Sequence, residues 1–153
     1  MVGAGRQMAV RRWQEVYRPA VRLGEPGSDG FHRSWIMLMP EGMFRHPEYG
    51  RLAFTRRKLL EFKRHFDAKV RKIDIALDRD HDAKAATGWL EQVEYRAARD
   101  ETPAGLWGRI RWTSLGVRLL KEQIYRYFSP EFGSYPDEES GRTWENVLIG
   151  GAL

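Results

Sequence analysis

Cysteine is absent from all 153 residues, so disulfides, a thiol nucleophile and Cys-ligated zinc or iron–sulfur centres are excluded. Histidine is scarce. His32, His46, His65 and His81 stand in no H-E-x-x-H or similar metal-binding spacing. The aspartates of the run DRDHD lack the glycine and the distant glutamate of a calcium loop. Metal catalysis gains no support from these patterns, and no cofactor is expected. Nowhere do eighteen apolar residues follow one another, and the opening MVGAGRQMAVRRWQEVYRP holds no apolar run of signal-peptide length. A cytosolic chain with no membrane partner is therefore expected.

What is present points to a folded domain. Hydrophobic residues make up 42% of the chain and aromatic ones 12%, too much apolar surface for a disordered polymer. A chain of this length fits one core that buries roughly two-thirds of the unfolded surface. The net charge of +5 favours polyanions in principle. The charges are scattered, however, so a solvated surface is the expectation and nucleic acid is not an expected partner.

Punctuation and periodicity divide the chain. Residues 1–30 end in GEPGSDG, a loop or linker signal, and read as an N-terminal extension ahead of a domain over 31–153. HRSWIMLM over 32–39 reads as a strand stopped by Pro40-Glu41-Gly42, and RHPEYGRLAF as a turn with a short extended piece. In TRRKLLEFKRHFDAKV, Leu59, Phe62 and Phe66 recur at helical spacing behind Thr55, whose hydroxyl suits an N-cap. Strands are expected over 73–77 and 89–95. The second forms a hairpin with 106–112, where Leu106, Gly108, Ile110 and Trp112 alternate with Trp107, Arg109 and Arg111. Thr113 caps a second helix with Val117, Leu120 and Ile124 on one face. A strand over 125–132 carries Ser129, the loop GSYPDEESGR follows, and a last strand is expected over 143–149. The class is α+β, a mostly antiparallel sheet or barrel with two helices.

Two residues stand out chemically. His81 lies in DRDHD among Asp78, Asp80 and Asp82, where a carboxylate can hold one imidazole tautomer and stabilise the imidazolium, as a general base requires. Ser129 sits in an aromatic strand between Phe128 and Pro130. A serine becomes a nucleophile only beside a base and donors for the oxyanion, and local sequence equally permits a hydrogen-bonded strand serine and an ordinary loop histidine.

Ordered landmarks sharpen this reading. LMPEG, HPEYG, DRDHD, AATGW, GLWGRIRWT, YRYFSPEF and VLIGGAL, spread over residues 36–153, resemble the Mu-like phage head-maturation protease family in order and spacing. That family looks related to the phage prohead proteases, similar in fold to the herpesvirus capsid-maturation protease. There a histidine after one strand precedes a glycine-plus-apolar strand, a Gly-Leu hairpin, a helix and a strand bearing the nucleophile. His81, Gly88-Trp89, Gly105-Leu106 and Ser129 fall on these positions. The resemblance thus implies Ser129 as nucleophile and His81 as base, with Asp78 matching the aspartate common before the family histidine. Asp80 and Asp82 are rivals, as are the downstream acids Glu131, Asp137, Glu138, Glu139 and Glu145. Backbone N–H groups, with an arginine such as Arg126 nearby, would serve the oxyanion.

The implied activity is a serine endopeptidase that cleaves scaffold and major capsid protein, and itself, within a prohead in the host cytoplasm. A homo-oligomer with dimer-linked activation is implied by the herpesvirus likeness. Family members continue beyond GGAL, which makes Leu153 a candidate processed end and a product retained in the virion an expectation. The alternative is a spent or inactive structural protein of the capsid interior that keeps the fold and acts by binding shell or scaffold.

Overall fold

The structure, a computed structural model, describes residues 9–13, 17, 20–125 and 127–153. Along them run β1 (Val10–Arg12), β2 (Arg33–Pro40), β3 (Gly42–His46), β4 (Gly50–Phe54), α1 (Arg56–Asp67), β5 (Ile75–Asp78), β6 (Gly88–Arg96), β7 (Gly105–Trp112), α2 (Ser114–Lys121), β8 (Ser129–Asp137) and β9 (Arg142–Ala152). The strands make a three-stranded sheet, β1-β3-β4, and a six-stranded sheet, β2-β7-β6-β5-β9-β8. Pairing is antiparallel except at β1 with β3 and β5 with β9. The class is therefore α+β as expected, but both sheets are open among the described residues and no barrel closes.

Alternation decides which face of the large sheet meets the core. Leu106, Gly108, Ile110 and Trp112 of β7 are buried, while Trp107, Arg109 and Arg111 face outward. On the inner face Leu38, Met39, Leu77, Val93, Ile110 and Phe128 join Phe44 and Phe54 of the small sheet. Helix α1 packs on β9, β6 and β7. Thr55 caps it by accepting the Lys58 N–H at 3.2 Å, and its core face is Leu59, Phe62 and His65, with Phe66 only half-buried. Full burial of Leu59 and Phe62 is worth about 1.5–3 kcal/mol each.

Residues ahead of position 31 take part in this packing. Trp13 is buried in the core and stacks on Tyr17 at 4.5 Å, and Tyr17 donates from its hydroxyl to the Met37 carbonyl. The strand with Ser129 begins later than the aromatic run suggests and continues to Asp137, through the first half of the expected loop GSYPDEESGR. Its partner β9 extends to Ala152. Among the described residues, no helix is long and apolar enough to cross a membrane.

The second helix turns differently from the expected face. Leu119 and Gly116 are buried, Val117 and Leu120 only partly, and Ile124 is 58% exposed because the helix has already ended. The cause lies at Gly116. A Cβ there would stand 2.1 Å from the Thr87 carbonyl oxygen, so the helix rests directly on backbone. Thr113 fixes the same contact, donating to Thr87 O from both its N–H and its hydroxyl.

Gly116→Ala should consequently destabilise the protein, although alanine is the better helix former by about 1 kcal/mol. The clash is with backbone, and overpacking of this kind costs roughly 1–3 kcal/mol. Thermal unfolding should shift down by a few degrees. A midpoint equal to or above the wild type would show that α2 is not seated on Thr87.

Candidate active site

Ser129 and Asp78 lie in one row of the large sheet. Asp78 of β5 is opposite Ala152 of β9, and Ala152 is opposite Ser129 of β8. With strands about 4.8 Å apart, the two backbones are about 10 Å apart and their side chains share a face. Glu131, two residues beyond Ser129, shares that face too. Phe132 turns the other way and packs edge-on against Phe54 and Phe62, at 5.4 Å and 5.7 Å between ring centroids. Core packing of Phe132 thereby orients Glu131 outward.

The floor between β5 and β8 is made of small residues. A Cβ at Gly150 would lie 3.0 Å from the Ala76 carbonyl oxygen and 3.5 Å from Glu131 Oε2, so the Glu131 carboxylate reaches across Gly150 toward β5. On the opposite face, a Cβ at Gly151 would come within 2.5 Å of the Phe128 ring. The Gly-Gly-Ala sequence of β9 thus leaves room for side chains of its two neighbours to meet above it and for Phe128 to seat below.

They meet at His81. Its Nδ1 is hydrogen-bonded to Glu131 Oε1, with both side chains partly exposed. A proton on Nδ1, donated to Glu131, leaves Nε2 as the basic nitrogen. Asp78, His81 and Glu131 bring their donor atoms within 4.8 Å of one another, the one such His and carboxylate grouping among the described residues that has metal-ligand chemistry.

The turn that presents His81 is unusual backbone. Asp80, His81 and Ala83 have φ of 53°, 55° and 55°, left-handed values that non-glycine residues seldom adopt. Side chains and neighbouring backbone hold it there. Asp78 Oδ2 accepts the Ala83 N–H at 2.8 Å, Asp82 Oδ1 accepts the Lys84 N–H at 3.0 Å, and Asp80 accepts from the Tyr125 hydroxyl. Thr87 donates from its hydroxyl to the Asp78 carbonyl, and the Asp80 N–H reaches the Leu153 carbonyl at 3.1 Å.

Each aspartate of DRDHD therefore has a partner of its own, and the carboxylate on the imidazole is Glu131. Asp78 remains beside the pair, and its Oδ1 is buried with no hydrogen-bond partner among the described residues. The other downstream acids are engaged elsewhere or exposed. Asp137 accepts from Ser140 and Lys72, which hold its carboxyl below the usual range. Glu139 pairs with Lys72, Glu145 with the Ser134 hydroxyl, and Glu138 is exposed in the β8–β9 turn. Arg126 lies outside the described residues. In the sequence Glu131 is one of five acids downstream of Ser129 that could serve His81, with Asp137, Glu138, Glu139 and Glu145. The i, i+2 spacing from Ser129 on a strand was the signal that could have singled it out.

Residues 36–146 match a family model described as Mu-like prophage I protein, N-terminal domain. No curated protein and no solved structure matches the chain.

Proposed function

Since the chain belongs to the Mu-like prophage I protein family, we propose that this phage-related protein is a serine endopeptidase of head maturation, with scaffold and major capsid protein as substrates. The observation that carries the reading is the His81–Glu131 hydrogen bond on the face of the sheet that also presents Ser129. Ser129 sits exposed at the start of β8, where an extended peptide can reach its hydroxyl.

The chemistry follows from that arrangement. His81 Nε2 takes the hydroxyl proton as Ser129 Oγ attacks the peptide carbonyl, and Glu131 stabilises the imidazolium that results. Collapse of the tetrahedral species breaks the C–N bond, and the imidazolium gives its proton to the leaving amine. Water, deprotonated by His81, then hydrolyses the ester to release the acid and restore Ser129. Backbone N–H groups near Ser129 serve the oxyanion.

A fluorophosphonate probe tests the reading without any knowledge of the cleavage sequence. The native protein should take up one probe, mapped by peptide mass to Ser129, and His81→Ala or prior heat unfolding should suppress the uptake. Labelling that spreads over several serines, or that persists in His81→Ala, would contradict it.

A further inference from the structure

We propose that Tyr125 is a positioning residue for His81, which rests on the protease reading of Ser129 and His81 given above. Tyr125 lies in the connection between α2 and β8, four residues ahead of Ser129. Its hydroxyl donates to Asp80 Oδ2, the residue next to His81. One residue further along the turn, and six residues further along the segment of Tyr125, His81 Nδ1 is hydrogen-bonded to Glu131. Two hydrogen bonds thus tie the His81 turn to the segment that bears the nucleophile.

The turn needs such ties. Asp80 and His81 are consecutive left-handed residues, a conformation held only where the surroundings impose it. The Glu131 contact bears on the imidazole itself and has to adjust as that ring gains and loses a proton. The Tyr125 contact is made to the neighbouring residue and involves no atom of the imidazole. Tyr125 is well placed as an anchor. Its ring packs against the core, and its N–H joins that of Ile124 on the Leu119 carbonyl at the end of α2. The Asp80 carboxylate and partial burial hold the phenol above its ordinary pKa, so it stays a donor wherever a histidine base works.

The test is Tyr125→Phe, which keeps the packed ring and removes the hydroxyl, with Asp80→Asn, the double variant, and Tyr127→Phe as an exposed control. Turnover should fall between about tenfold and a hundredfold, as small misplacements of a catalytic group do, with KM within about twofold. Thermal unfolding should stay near wild type. The double variant should be no slower than Tyr125→Phe, because Asp80→Asn, which keeps an acceptor but loses the charge, acts only by weakening the bond that Tyr125→Phe has already removed.

NMR of His81 supplies a readout that does not depend on proteolysis. In Tyr125→Phe the His81 ring ¹⁵N resonances should broaden and the Nδ1 proton should exchange faster, while Tyr127→Phe leaves both unchanged. Wild-type kcat together with unchanged His81 resonances in Tyr125→Phe overturns the proposal, as do independent, multiplying effects of Tyr125→Phe and Asp80→Asn. If the wild type cleaves nothing, the protease reading fails and the His81 resonances alone decide whether Tyr125 orders the turn.

Discussion

Ser129→Ala should abolish processing of co-expressed scaffold and shell proteins, with turnover reduced at least 10⁴-fold, the order seen when a serine nucleophile is removed. The substitution deletes one exposed hydroxyl from the first residue of β8 and touches no core contact. Surface changes of that kind leave stability within about 0.5 kcal/mol, so loss of cleavage would not reflect unfolding. Gel analysis of assembled particles reads the result directly. Wild-type protein should yield shortened scaffold and capsid chains, and Ser129→Ala should leave them intact and assembly stalled. Equal processing by both proteins would remove Ser129 from the mechanism. Normal particles with no processing by the wild type would favour a structural role in the capsid interior.

The parts of this arrangement that rest on periodicity were legible in the sequence. The β6–β7 hairpin follows from the alternation of β7, although β6 breaks its own with a bulge between Leu90 and Gln92, and both helix starts follow from the threonines at 55 and 113 that accept N–H groups at 3.2 Å. What periodicity does not encode is contact between segments distant in the chain. The parallel pairing of β5 with β9 brings Asp78 beside Ala152, and nothing within DRDHD announces it. The face of α2 differs from the one its periodicity predicts for a related reason. Gly116 looks like a weak helix residue until Thr87, 29 positions earlier, is found beneath it. The landmarks VLIGGAL and AATGW then acquire physical causes. Gly150 and Gly151 clear space on the two faces of β9, and Thr87 anchors both the His81 turn and α2.

The same distance problem governs the choice between acids, and it sets the second large effect. Asp78 precedes His81 by three residues and is the natural candidate from local sequence. In the folded chain its Oδ2 accepts from the Ala83 N–H, and Glu131, fifty residues away, takes the imidazole Nδ1. A carboxylate in that position fixes the tautomer and stabilises the imidazolium, so Glu131→Gln should lower kcat by about 10²–10⁴-fold with KM nearly unchanged. Its stability should hardly move, because a partly exposed pair of this kind contributes about 0–1 kcal/mol. Asp78→Asn should act differently. The asparagine carbonyl can still accept from Ala83, so the turn is kept, and only the nearby negative charge is lost. A decrease of about tenfold is expected, in line with a supporting charge that is not bonded to the base. The comparison needs kcat, KM and thermal unfolding for both variants. Glu131→Gln within about twofold of wild type beside a hundredfold loss in Asp78→Asn would return the orienting role to Asp78. Near-wild-type turnover in both variants would mean that Ser129 and His81 act as a dyad, with the Glu131 contact merely a solvated ion pair.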